Sequence, residues 1–335
     1  MVGSHIAKSA RCGSTRPVWH TAAMKTSPIW SGIVLSAVLL STCPVFSQTE
    51  TGAIDHVRIM VRDIQASKKQ YRDVLGFNLP DPDVYVYDEG SAHDGTDLSD
   101  HTYLELLGVA DQEKLAKVRP WIVDFLKRYE GLHSVGLLVP SAQKVSDRFR
   151  ARGIDAPIFQ LVSKAGKQPI LLVTPKMANL PEGSIFFLEY PAASLKKIMS
   201  AESPAQPNTS LSTAAVWIAV KDMNKAGTDV EALGLHRGRM LESKTLGARA
   251  QEFDTDHGKI ILLQAADKDG PVARFVNERE GVMGFTLEVT DLSKARTLLE
   301  KNIGQTFAEY AGFYGKSFLI PSKFASGAWI EMVKK

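Results

Sequence analysis

The chain has 335 residues, enough for about two domains, because a single core rarely grows past roughly 250 to 300 residues. With 44% hydrophobic and 23% charged residues it has ample apolar material for a core, which excludes global disorder. The 40 basic residues exceed the 37 acidic ones by only +3, and no Lys/Arg cluster is interleaved with aromatics, so nucleic acid is not expected as a partner.

Residues 1–47 read as a leader. Met24, the expected start, and Lys25 open a short basic region, and Ile29 to Leu40 is a mostly apolar run of 12 residues. That length fits the core of a signal peptide and is too short to span a bilayer. Val45-Phe46-Ser47 suits cleavage before Gln48, so the mature chain is expected to be exported, periplasmic or secreted, with no membrane attachment. Leu40-Ser41-Thr42-Cys43 offers an alternative, a lipid anchor at Cys43, although Thr before the Cys matches such signals poorly. Both cysteines, Cys12 and Cys43, precede the cut, which removes disulfides and thiolate chemistry from the mature protein.

Beyond the leader, Ile54 to Val61 alternates as a strand does, and Gln65 to Leu75 reads as a helix stopped by Gly76. Tyr85 to Tyr87 and Thr102 to Val109 add strands. The order then recurs: a strand at Leu132 to Val139, a helix at Ala142 to Ala151 closing at Gly153, and strands at Ile170 to Val173 and Ser184 to Tyr190. Ser200 to Ser212, with two prolines and no apolar periodicity, reads as a linker. After it, Ala215 to Val220 with a helix ending at Leu233-Gly234 repeats the first unit, and Gly281 to Val289 with a helix ending at Ile303-Gly304 repeats the second. Four βαβββ modules are implied, in domains 48–199 and 213–335 joined by the linker at 200–212.

Spacing supports the repeat. His56 precedes Glu105 by 49 positions and Ala215 precedes Gln264 by the same 49, while Asp63 and Asp222 each stand seven residues after the first member. His133 precedes Glu189 by 56 positions and Met283 precedes Glu331 by 48, a difference that an insertion around Ser163 to Gln168 or Pro175 to Glu182 would absorb.

With its segments Ile54-Asp55-His56-Val57 and Tyr103-Leu104-Glu105-Leu106, the chain resembles the vicinal-oxygen-chelate superfamily over its whole mature length. The resemblance implies an α+β fold, the glyoxalase/bleomycin resistance/dioxygenase fold, in which paired βαβββ modules curl into cups, here two of them. It also implies one divalent metal ion, held in the first cup by His56, Glu105, His133 and Glu189. Two neutral imidazoles and two carboxylates suit Zn, Ni, Co, Mn or Fe(II). A glutamate flanked by leucines, as in Leu104-Glu105-Leu106, is costly to bury unless something positive meets it. Strand alternation puts Tyr103 and Glu105 on one face, and Arg58 on the side of His56. Tyr103 and Arg58 are therefore candidate substrate contacts, Arg58 being equally suited to a structural ion pair with a carboxylate of the site. His101 shares that face as a rim residue, whereas His93, His236 and His257 sit in polar, turn-like contexts that read as surface.

The second half carries Ala215, Gln264 and Met283 where the first carries ligands, leaving Glu331 alone, so no metal is expected there. The implied activity is that of a glyoxalase-type lyase or isomerase: a substrate chelates the metal through vicinal oxygens, and Glu189 or Glu105 moves the proton. An extradiol-type dioxygenase with Fe(II) and a non-enzymatic sequestering protein are the alternatives. The partner is a small molecule, and no second subunit is needed to complete the site.

Overall fold

The computed structural model describes residues 51–79, 84–161 and 169–335, so the segment read as a leader and both cysteines lie outside the described residues. Alternating and β-branched sequence produces two eight-stranded sheets. The first contains β1 (Ala53–Met60), β2 (Tyr85–Val86), β3 (Ser91–Asp97), β4 (Tyr103–Val109), β5 (Gly131–Leu138), β6 (Ile158–Leu161), β7 (Ile170–Val173) and β8 (Ile185–Glu189). The second contains β9 (Ser210–Ala219), β10 (His236–Ser243), β11 (Ala248–Asp254), β12 (Lys259–Ala265), β13 (Gly281–Val289), β14 (Glu309–Gly312), β15 (Gly315–Ile320) and β16 (Trp329–Lys334).

The strand orders are β2-β3-β4-β1-β5-β8-β7-β6 and β10-β11-β12-β9-β13-β16-β15-β14, the same topology twice. In each sheet the first strands of two modules pair antiparallel at the centre, β1 with β5 and β9 with β13. Each also pairs in parallel with the last strand of its own module. This is the expected arrangement of four βαβββ modules in two half-barrels.

The helices are α1 (Ile64–Lys69), α2 (Gln112–Val118), α3 (Pro120–Arg128), α4 (Ala142–Arg150), α5 (Ala192–Ser200), α6 (Met223–Ala232), α7 (Pro271–Glu278) and α8 (Leu292–Ile303). The crossover helix of every module starts on a side-chain cap: Asp63, Ser141, Asp222 and Asp291 each accept from the backbone N–H three residues on. The first of them runs on as one π turn through Val74, and Gly76 follows at φ 71°. Short α2 and α3, to which the sequence reading assigned no element, are separated by Pro120, which ends one helix and starts the next.

Both sheets contribute to one core. Val57 and Ile59 of β1, Leu132, Val135 and Leu137 of β5, Val216 and Ile218 of β9, and Phe285 and Leu287 of β13 belong to a single buried cluster. Alternation then turns His56, Arg58 and Met60 to the opposite, concave face. The segment read as a linker is packed. Gln206 Oε1 accepts from Asn78 N at 2.8 Å, and its Nε2 donates to Thr96 Oγ1 and to the Asp97 carbonyl. Asn208 is fully buried and donates to the Leu75 carbonyl. The two halves are thus stitched together through the segment that joins them.

Candidate functional site

The concave face of the first sheet holds His56 and Arg58 from β1, with Tyr103 and Glu105 beside them on β4 in the register His56 to Tyr103 and Arg58 to Glu105. His56, Arg58 and Glu105 are each less than 8% exposed. Arg58 Nε donates to Glu105 Oε2 at 2.6 Å, and its Nη2 lies 3.3 Å from His56 Nε2. Asp55 Oδ2 accepts from His56 Nδ1 at 2.6 Å and from the Tyr190 hydroxyl at 3.0 Å, which leaves His56 Nε2 as an acceptor turned toward Arg58. On the other side of the carboxylate, His93 Nδ1 lies 2.5 Å from Glu105 Oε1. These groups line a cavity of about 370 Å³, with His101 at its edge.

The electrostatics follow from burial and that one ion pair. Burial alone raises the pKa of Glu105, but Arg58, His93 and His56 outweigh it and hold the carboxyl well below its usual range. Burial lowers the pKa of His93 against the pull of Glu105, so the ring is neutral. Tyr103 is pushed well up by burial and then by Glu105, and Tyr190 by burial and then by Asp55.

The four expected metal ligands do not converge. Glu189 faces the other side of its strand: its Oε2 accepts from Ala142 N at 2.8 Å, at the start of α4. The concave face of β8 carries Phe186 and Leu188 instead, in one cluster with Leu161 and Leu172. His133 stands in a second cavity between Trp121 and Phe125, with ring centroids 4.7 and 5.0 Å away. Its pKa falls to about 3, through burial first and then the charges of Arg58, Arg279 and Arg119.

The register explains both displacements. Seven residues back from the equivalent caps Asp63 and Ser141 stand His56 and Ser134, so Ser134 is the module-two counterpart of His56. Arg58 pairs with Glu105, and its counterpart Gly136 pairs with Phe186. A phenylalanine therefore occupies the fourth position. Gly136 is required beside it, because a Cβ there would come within 2.8 Å of Phe186 and 2.9 Å of His56.

Zn, Ni, Co, Mn or Fe(II) on His56, Glu105, His133 and Glu189 does not fit this arrangement. A guanidinium already meets the Glu105 carboxylate at 2.6 Å, nearer than the 3.5 Å of His56 Nε2. Glu189 is engaged by the first backbone N–H of α4, on the face of β8 away from the cup. Among the described residues no group of three or more His, Cys, Asp or Glu is disposed to hold an ion. His93, read from sequence as surface, is 6% exposed and part of the site. The polar run Ser91 to Asp97 hid its strand, and the only available signal was that a strand must pair with the far edge of β4.

In the second sheet Ala215, Trp217 and Met283 are fully buried in an apolar cluster that fills the cup. Trp217 takes the register of Arg58, but Ile261, not Gln264, takes that of Glu105. Gln264 instead accepts from Met223 N at the start of α6. Glu331 is satisfied by neutral donors, the Thr286 hydroxyl at 2.8 Å and the Tyr310 hydroxyl at 2.6 Å.

The sequence profile of a family described as a glyoxalase-like domain matches residues 54–233. No curated protein sequence matches the chain. Among solved structures, a mutant of 4-hydroxymandelate synthase from Streptomyces coelicolor is similar with a TM-score of 0.61 at 12% identity, covering 85% of this chain and 92% of that one. A hypothetical protein from Staphylococcus aureus is similar with a TM-score of 0.58 at 12% identity, covering 84% and 99%. The 2,3-dioxygenase LapB from Pseudomonas sp. KL28 is similar with a TM-score of 0.53 at 13% identity, covering 86% and 94%. At such identities the shared property is the fold.

Proposed function

The chain belongs to the glyoxalase-like domain family of the vicinal-oxygen-chelate superfamily, and from that premise we propose that its first cup moves a proton on a small molecule with two adjacent oxygens, using Arg58 where a cation would stand. One observation carries this reading: the Arg58 guanidinium contacts both the Glu105 carboxylate, at 2.6 Å, and His56 Nε2, at 3.3 Å. A guanidinium is always charged and presents a planar fork that matches two oxygens.

His56, held by Asp55 through Nδ1, takes a proton from the carbon beside the carbonyl. The electron pair of the broken C–H bond moves onto the carbonyl oxygen, where Arg58 stabilises the enediolate; the neighbouring hydroxyl proton passes to that oxygen, and His56 returns its proton to the former carbonyl carbon. Glu105 positions Arg58, and His93 holds Glu105 from behind. Tyr103 and Tyr190 supply hydroxyls at the cavity wall. The product is the isomer in which carbonyl and hydroxyl have exchanged places, so the activity remains of glyoxalase type without a metal step. The leader suits export, and a substrate outside the cytoplasm argues against a glutathione hemithioacetal.

The test is solvent exchange. Chelator-treated protein is incubated in deuterium oxide with a panel of α-hydroxyaldehydes and α-hydroxyketones, and deuterium at carbon is followed by NMR. Chelator-insensitive exchange, lost in His56→Ala and Arg58→Met, is the expected result. Exchange that requires an added divalent ion, or none across the panel, would overturn the reading.

A further inference from the structure

The concave face of the first sheet contains a second cavity of about 420 Å³, which Arg58 also lines and proton transfer does not use. Its volume falls in the range of small-molecule sites. Its walls are aromatic, with Trp121 and Phe125 from α3 and Phe159 from β6. Its charge is positive: Arg58, Arg119, Arg128 and Lys176 face one carboxylate, Glu182. Lys176 is exposed and paired with Asp155 at 3.0 Å, so the buried Arg119 and Arg58, each 5% exposed, dominate the potential inside.

Arg119 is under-used. Its nearest carboxylate, Glu89, is 3.4 Å away, longer than a strong charge-assisted bond, and its guanidinium lies 5.2 Å from the Trp121 ring centre and 5.7 Å from that of Phe159. Ser134, which lines the same cavity, is 1% exposed and its Oγ has no hydrogen-bond partner among the described residues; His133 Nδ1 has none either. A buried hydroxyl without a partner is unfavourable, and such groups call for a ligand or water to complete them.

We propose that this cavity binds a planar aromatic carboxylate, its ring lying among Trp121, Phe125 and Phe159 and its carboxylate taken by Arg119 and the Ser134 hydroxyl. The aromatic walls accept a flat apolar body, and the buried cation selects its charge. Arg119 and Ser134, unlike Arg58, take no part in the proton transfer proposed for His56.

Isothermal titration calorimetry with 2-naphthoate, and with its uncharged analogue 2-naphthylmethanol, tests this in the full chain. The carboxylate binds at least tenfold more tightly than the alcohol. Arg119→Met weakens the carboxylate at least tenfold, and Ser134→Ala, which leaves the Arg119–Glu89 pair untouched, weakens it roughly three- to tenfold. Equal affinities for the two probes, no binding of 2-naphthoate, or unaltered affinity in the folded Ser134→Ala variant would overturn the proposal.

Discussion

Phe186 and Glu331 occupy the same register position in the two sheets. Phe186 pairs with Gly136, which pairs with His56; Glu331 pairs with Thr286, which pairs with Ala215. The first cup thus carries the imidazole and no carboxylate on its far strand, and the second carries that carboxylate and no imidazole. Each satisfies its buried glutamate without an ion, by Arg58 in one and by two hydroxyls in the other.

The Arg58–Glu105 pair is expected to be costly to break from one side only. Arg58→Met leaves a buried carboxylate and Glu105→Gln a buried guanidinium, each destabilising by about 3–5 kcal/mol. The double variant, with neither charge, recovers much of that loss in denaturant unfolding. A double variant as unstable as the sum of the single ones would contradict the pairing.

Removing the guanidinium should also create what the wild-type cup lacks. In Arg58→Ala, His56, His93 and Glu105 are left as two imidazoles around one carboxylate, a donor set suited to divalent ions. Cobalt titration is expected to give a d–d absorption band in this variant that is absent or weaker in the wild type. The opposite order would restore the metal reading of the native site.

His133 makes stability depend on pH. Its ordinary value of 6.5 is lowered to about 3, first by burial, so between these values the unfolded chain binds a proton that the folded chain does not. The contribution is complete above pH 6.5 and is lost as pH falls toward 3. Glu105, also held low, adds a loss in the same direction below its ordinary 4.5. His133→Phe is expected to flatten the fall in unfolding free energy between about pH 6.5 and 5, above the range in which Glu105 acts. An unchanged slope would show that His133 is not buried as a neutral ring.

Glu331 acts in the other direction. Burial raises its pKa above 4.5 despite hydrogen bonds from Tyr310 and Thr286, so the folded chain holds this proton more tightly than the unfolded chain. Its stabilisation is complete below pH 4.5 and declines as pH rises through the folded value. Glu331→Gln keeps an acceptor for both hydroxyls and is expected to gain stability relative to wild type as the pH is raised from about 5 to 8. A constant difference in melting temperature across that range would refute it.

Gln206 tests whether the joining segment is structural. It accepts from Asn78 N and donates to Thr96 and Asp97, so Gln206→Ala leaves buried groups unpaired and is expected to cost about 1–3 kcal/mol in denaturant unfolding. No measurable loss would mean that the segment is a passive tether.

What the sequence by itself determined was local. Asp63, Ser141, Asp222 and Asp291 cap the four crossover helices because a cap needs only the next three residues, and Gly76, Gly153 and Gly304 stop helices through their own positive φ. The pleat puts His56 with Arg58, and Tyr103 with Glu105, whatever the partners are, so this half of the site was legible. Tertiary structure decided which residue of one strand meets which residue of another. Irregular pairing between β1 and β5 sets Ser134 against Arg58, and β8 is paired so that Phe186 faces the cup while Glu189 caps α4. The matching 49-residue spacing pointed to Gln264, whereas β9 and β12 align Ile261 with the place of Glu105. A one-residue change of register reverses the face of every side chain, and register is fixed by loops, bulges and the opposing core, which no short segment contains.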